Sequence, residues 1–292
     1  MQIVTDSGAD LSPTQRQGIT IQSVPLVITL DGQTYRSGID IQPDEFYKLL
    51  SASKNFPITS QPSPAEFADL YREMAKSDHE ILSIHISSGL SGTMNAARVG
   101  AGMVPEAKVT FVDTKTLSAA EGWQVEAAAR AILQGWPLDR ILAALQKISD
   151  ATDTIFTLST LRYLIHGGRI SHLRGLIGQL LEIKPAIGVD KSDGKYAQRG
   201  TARTLSKAIK ILPELIARQH EPGTPLRAQI VHGDNLDGAA ALKEAMEAKF
   251  PVQWLTTMDV APALGAHTGS GLIGCAYGPA AAYTDLEGVL AG

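Results

Sequence analysis

"EILSIHISSGLSGTMNAARV", residues 80–99, joins a compact apolar run to a loop rich in serine and glycine, and the loop to a helical pattern. An apolar run of four to eight residues that ends this way reads as a parallel strand of a βαβ unit. Two other runs in the first half share the pattern, "QIVTDSG" at 2–8 and "KVTFVDTKT" at 108–116. The helix starts between them are legible. Ser12 and Ser63 are each followed by Pro at the first helical position and by Gln15 or Glu66 three residues on, the pattern of a capping box. After Ser63, Phe67, Leu70, Tyr71 and Met74 recur at helical spacing and give one face to bury. Further helices are expected at about 118–134 and 138–150.

Beyond residue 152 the order changes. Strand candidates are "DTIFTLST", "IKPAIGVD", "GKYAQRG", "LRAQIVHGD", "VQWLTTMD" and "GLIGCAYG", and only some are separated by helices. Clear helices are "TLSKAIKILPELIARQ", with Pro213 implying a kink, and "LDGAAALKEAMEAKF". "SDG" at 192–194 predicts a hairpin. The expected architecture is α/β: an N-terminal three-layer domain with a parallel sheet over 1–153, and a C-terminal α/β domain with a mixed sheet over 154–292.

Composition narrows the function. The chain has 292 residues, 44% hydrophobic and 19% charged, as in ordinary soluble globular proteins. A net charge of −4 supplies no general basic face for nucleic acid. A single cysteine, Cys275, forms no intramolecular disulfide and fits a reducing compartment. "MQIVTDSGAD" has no basic n-region, and no segment reaches the roughly 18 apolar residues of a membrane span, so a cytoplasmic protein is expected.

In an open parallel sheet, ligands bind at the carboxyl ends of the strands, where Asp6 and Ser7, Ser87 to Thr93, and Asp113 with Thr114 all fall. "SSGLSGT" places Ser91, Gly92 and Thr93 at a helix start, where free N–H groups and the dipole favour an anion. Simple helix capping by Ser91 or Thr93 accounts for those residues equally well. Sharper motifs fail on the same letters: Thr93 stands where a nucleophile elbow needs Gly, no Lys follows for a P-loop, and G-x-G-x-x-G is missing. "PITSQPSP" at 57–64 is a polar loop stiffened by three prolines that carries Thr59 and Ser60. "LIHGGRIS" offers Arg169 after two glycines that stop a helix, and "GAHTGSG" sets His267 in a loop before an apolar strand. No H-x-x-x-H or C-x-x-C spacing supports a metal.

In order and spacing, "IVTDSGADL", "TSQPSPAEF", "SSGLSGTMNAA", "VDTKTLSAAEG", "LIHGGRIS", "LLEIKPAIGVDKSDGKY" and "AHTGSGLIGCAY" closely resemble the bacterial DegV family across essentially the whole chain. The resemblance implies two α/β domains with a long-chain fatty acid held between them. It also implies a subunit of bacterial fatty acid kinase that presents the acyl carboxylate to a separate catalytic subunit. On that basis Thr59, Ser60 and Ser91 are the carboxylate-binding hydroxyls, Gly92 supplies a backbone N–H, and His267 lies close to the head group. Arg169 is expected at the head-group side or the partner surface. Arg199 and Arg203, in a segment less basic than is usual for the family, are further candidates for head-group or partner contact. The resemblance implies no cofactor of the chain's own, ATP and magnesium belonging to the kinase partner. "LRGLIGQLLEI", 173–183, is a candidate wall for the acyl tail.

An alternative from a different class is a serine-dependent hydrolase or acyltransferase using Ser91 and His267, with Asp6 or Asp113 as orienter. That constellation has every residue type a triad needs.

Overall fold

The apolar runs that open the chain become neighbours in space. In the computed structural model, which describes residues 1–171, 173, 183–286 and 288–290, β1 (Gln2–Asp6), β6 (Glu80–His85) and β7 (Lys108–Asp113) form a parallel sheet. A short β2 (Gln22–Val24) completes it on the β1 side, giving the order β2-β1-β6-β7. Helix α1 (Pro13–Arg16) follows β1, and α3 (Pro64–Ala75) precedes β6. Both start with capping boxes, in which the side chains of Ser12 and Gln15, and of Ser63 and Glu66, satisfy each other's backbone N–H groups. Helix α4 (Thr93–Ala101) lies between β6 and β7.

The N-terminal half holds more than the parallel sheet expected of it. β3 (Val27–Leu30), β4 (Gln33–Arg36) and β5 (Ile58–Ser60) make a separate antiparallel sheet in the order β4-β3-β5. Asp31 and Gly32 both adopt positive φ in the two-residue turn between β3 and β4. Helix α2 (Pro43–Ala52) buries Phe46, Tyr47 and Leu50. Thr59 and Ser60 therefore stand on an edge strand, not in an irregular proline-fenced loop.

Helix α5 (Ser118–Leu133) is buried nearly all round, as a helix caught between two layers must be. It packs on β1 and β6 on one side, and on β11 (Leu226–His232) and β14 (Ile273–Pro279) on the other. α6 (Leu138–Ala151) packs beside it, and the chain then enters the second sheet at β8 (Asp153–Thr157). That sheet runs β10-β9-β8-β14-β11-β12, from β9 (Lys184–Asp190), β10 (Lys195–Ala202) and β12 (Val252–Trp254), with β13 (Met258–Asp259) also paired to β11. It is mixed: β12 and β13 run parallel to β11, and the other pairs are antiparallel. The "SDG" turn closes the β9–β10 hairpin, with Gly194 at positive φ.

"VQWLTTMD" divides into β12 and β13, and α8 (Leu205–Ile216) continues through Pro213. Helices α7 (Arg162–His166), α9 (Leu236–Glu247) and α10 (Pro262–Thr268) complete the ordered elements, with a 3-10 turn at Ala280–Leu286. One apolar core runs through α5 from Ile3 and Ile84 to Phe156, Val231 and Leu272. Cys275 is a fully buried member of the other core of the second sheet, and burial pushes its thiol up to about 12, so it is an inert core residue. No helix among the described residues is long and apolar enough to cross a membrane.

Candidate functional site

The crest of the parallel sheet spends most of its polar groups on itself. Asp6 accepts from the N–H groups of Gly8 and Ile86 and pairs with His85 Nδ1 at 3.0 Å. His85 Nε2 meets Ser83 Oγ at 2.6 Å, and Ser83 meets Tyr71, all within the core. Ser87 is buried and donates to the carbonyl of Gly194 at 2.7 Å, clasping the β9–β10 hairpin. Asp113 accepts from both the N–H and the hydroxyl of Ser88 and pairs with Lys115. These groups are therefore engaged in holding loops together.

Ser91 and Gly92 are placed differently. Ser91 Oγ lies 2.8 Å from Thr93 Oγ1 and accepts from the Thr93 N–H at 3.3 Å, yet Ser91 also lines a cavity. Gly92 occupies the N-cap of α4 without any side-chain cap, and its N–H finds no acceptor among the described residues. A helix start with such an N–H is suited to an anion. The glycine is needed because the Gln61 amide lies against it: a Cβ there would stand 2.0 Å from Gln61 Oε1.

A cavity of about 220 Å³ opens beside that helix start. Thr59, Ser60, Gln61, Ser91, Arg169 and His267 supply its polar wall, and Leu26, Ile86, Leu90, Ala263 and Leu264 its apolar one, with Tyr196 also at its edge. The residues come from β5, the β6–α4 loop, the turn after α7, and α10, so both halves of the chain contribute. His267 lies on α10 and not in a loop; Gly265 of the same helix must be small because a Cβ would meet the Tyr47 ring and hydroxyl.

His267 Nε2 and Thr59 Oγ1 are 2.7 Å apart. The other ring nitrogen, Nδ1, is buried against Gly167 without a partner among the described residues. Burial, with a smaller contribution from Arg169, lowers the imidazole to about 4, so His267 is neutral near pH 7. Arg169 is held in place by its own chain, donating to the carbonyls of Gly167 at 2.7 Å and Leu90 at 3.4 Å.

Arg199 and Arg203 do not join this cluster. Arg199 donates to Val189 O and lines a different cavity, while Arg203 is exposed ahead of α8. The hydrolase alternative loses its geometry as well: Asp6 serves His85, Asp113 serves Ser88 and Lys115, and the His267 nitrogens reach no carboxylate among the described residues. Residues 174–182 of the candidate tail wall lie outside the described residues; Leu173 belongs to the core, and Ile183 packs against it. Gln61, which directly follows Thr59 and Ser60 in "TSQP", joins them at the cavity, as do apolar residues at the strand ends, and neither Gln61 nor those apolar residues carry a local signal of their own in the sequence.

Fold and site together define a class: a protein of two α/β sheets sharing a core, with an anion-suited polar cluster facing apolar side chains where the sheets meet. A profile of the DegV family, described as that of an uncharacterised protein, matches residues 1–280, and the chain belongs to the DegV family. It is 32% identical over 276 residues to a DegV domain-containing protein of Listeria monocytogenes, covering 94% of this chain and 97% of that one. A DegV family protein from Thermus thermophilus, described by its fatty acid binding, superposes with a TM-score of 0.85 at 32% identity, over 95% of this chain and 99% of the other. DegV of Bacillus subtilis, described as a fatty acid binding protein, gives 0.84 at 31%, over 95% and 98%.

Proposed function

We propose that this protein binds a long-chain fatty acid and presents its carboxylate to a separate ATP-dependent kinase, with no catalysis of its own. The observation that carries the reading is the division of the cavity: donors on one wall, apolar side chains on the other. A carboxylate buried without charge-assisted hydrogen bonds is costly, and an acyl chain contributes about 0.8 kcal/mol per buried CH₂. The polar wall orients the ligand, and the tail provides affinity. The fatty acid binding of the relatives from Thermus thermophilus and Bacillus subtilis supports the same ligand here.

In this reading Thr59, Ser60, Ser91 and the Gly92 N–H receive the carboxylate. The ligand also selects a tautomer. If Nε2 of His267 accepted from Thr59, the hydroxyl would turn lone pairs towards the carboxylate. With Nε2 protonated, the imidazole donates to Thr59 Oγ1, whose own proton is then free to donate to the ligand. Arg169 adds positive charge without contacting a carboxylate in the described structure. The kinase role rests on the family resemblance, and the partner supplies ATP and magnesium.

Extraction of the purified protein followed by mass spectrometry should recover fatty acid, and delipidated protein should rebind it. Recovery of none, with no rebinding, would sink the proposal. Ser91→Ala should weaken ligand retention or partner-dependent phosphorylation. If both were unchanged, Ser91 would have no ligand role. Absence of acyl phosphate with a bacterial fatty acid kinase subunit, while binding persists, would remove the kinase step alone.

A further inference from the structure

The second sheet carries another cavity, of about 180 Å³, on the face covered by α8. Strand alternation separates it from the head-group cavity: Ile155 and Tyr277 face α8, whereas Phe156, Ile187 and Tyr196 face the core shared with α5. Two guanidinium groups line it, Arg199 and Arg218.

Arg199 is built into place. The β9–β10 register shifts between Gln198 and Gly200, leaving Arg199 as the extra residue of a bulge, a device that re-aims a side chain. Its Nη2 donates to Val189 O at 3.1 Å. The side chain crosses Gly188 so closely that a Cβ there would sit 2.8 Å from Nε. Arg218, in the turn after α8, makes no ion pair among the described residues. Tyr277 donates to Gln219 Oε1 at 2.7 Å, which leaves the Gln219 NH₂ available as a third donor. One carboxylate, Asp153, also lines the cavity and pairs with Lys191 at 3.3 Å, while Asp190 nearby accepts from the N–H and hydroxyl of Ser192. Ile155 and Leu215 form an apolar wall.

We propose that this cavity is a binding site for a small organic oxyanion, a carboxylate or phosphate monoester, distinct from the fatty acid site. Guanidinium forks match the geometry of both oxyanions, and two guanidinium groups against one carboxylate, itself paired with Lys191, set the sign of the ligand's charge. The cavity, of about 180 Å³, has room for a small organic anion.

The test is isothermal titration calorimetry of the purified full chain with sodium phosphate and, separately, sodium malonate, at ionic strength fixed with sodium chloride. Saturable one-to-one binding of at least one probe is expected, and which probe binds identifies the oxyanion. Arg199→Gln and Arg218→Gln should each weaken it at least tenfold. Gly188→Ala should weaken it by displacing Arg199. Arg203→Gln, which removes the same charge outside the cavity, should leave it unchanged. No saturable binding of either probe, equal affinity in the Arg199 and Arg218 variants, or equal loss in Arg203→Gln would overturn the proposal.

Discussion

Acidification should destabilise this protein through His267, and a matched variant can isolate the effect. The imidazole is held near 4 by burial and Arg169, against 6.5 for a free histidine. A group lowered in the folded state contributes stability that is complete above pH 6.5 and is lost as pH falls towards 4. The 2.5-unit difference corresponds to about 3 kcal/mol in full, of which about 2 kcal/mol has gone by pH 5. Physically, a second proton on the ring creates a buried cation beside Arg169, with Nδ1 turned against Gly167 and no acceptor. Carboxylates titrate over the same range, so the informative quantity is the difference between wild type and His267→Gln, whose amide can still bond Thr59 but does not titrate. Urea unfolding of both proteins between pH 7.5 and 4.5 should show the wild type losing about 2 kcal/mol more than the variant by pH 5. If the two stabilities fall in parallel, His267 is not held neutral by its surroundings, and the assignment of its protonation state is wrong.

Other perturbations probe neighbouring features. Gly167→Ala places a Cβ 2.1 Å from His267 Nδ1 at a backbone φ of −73° that alanine adopts freely. Displacing the ring should weaken fatty acid binding about tenfold, roughly 1.4 kcal/mol, in a fluorescent-probe displacement assay, and unchanged affinity would detach His267 from the site. Asp10 is fully buried, bonded to Ser118 and to the Ala261 N–H, and raised to about 7 chiefly by burial. Its contribution is therefore present below pH 3.8 and lost as pH rises through 7, so Asp10→Asn should gain stability relative to wild type between pH 5 and 8 in thermal melts; a constant difference counts against the shift. Arg227 is buried over the Trp123 ring, with no hydrogen-bond partner for Nε or Nη2 among the described residues, and feels the charge of Glu126, which also has Gln15 and Arg130 as partners. With Arg130 still paired to the Glu126 carboxylate, Arg227→Met should leave stability in urea unfolding unchanged, and a loss of about 3 kcal/mol or more would show that Glu126 needs the Arg227 charge.

The sequence made the parallel sheet readable because its central strands β1 and β6 are buried on both faces and appear as compact apolar runs, and because both capping boxes keep their two halves three residues apart. The antiparallel sheet was less legible for the opposite reason. β3 and β4 have four residues each, β4 is mostly polar, and alternation over so short a stretch barely differs from chance. The hairpin signal was present in Asp31–Gly32, where both residues take positive φ, but the strands flanking it are too short to support it. With that sheet unseen, Thr59 and Ser60 read as loop residues. His267 misled through composition. "GAHTGSG" is dense in glycine, yet Gly269 and Gly271 alone take the left-handed conformation, while Gly265 is a helical residue kept small by Phe46 and Tyr47. Such long-range contacts leave no local periodicity, so the convergence of α10 and β5 was accessible only through family resemblance.

The hydroxyl loop at 87–93 shows why counting residue types overstates a site. Its four hydroxyls look equivalent in sequence, but each has a different task. Ser87 clasps the hairpin at Gly194, Ser88 bonds Asp113, and Thr93 turns to Ser91. Only Ser91 and the Gly92 N–H are left at the cavity. The clasp on the hairpin is nevertheless tied to the cavity. Gly89 packs so closely on the hairpin that a Cβ would approach Asp193 O to 2.4 Å. That hairpin continues into Tyr196 at the cavity edge. The loop thus fixes the second sheet against the first at the place where an anion would be received, and its rigidity is part of how two hydrogen-bond donors can serve as a seat.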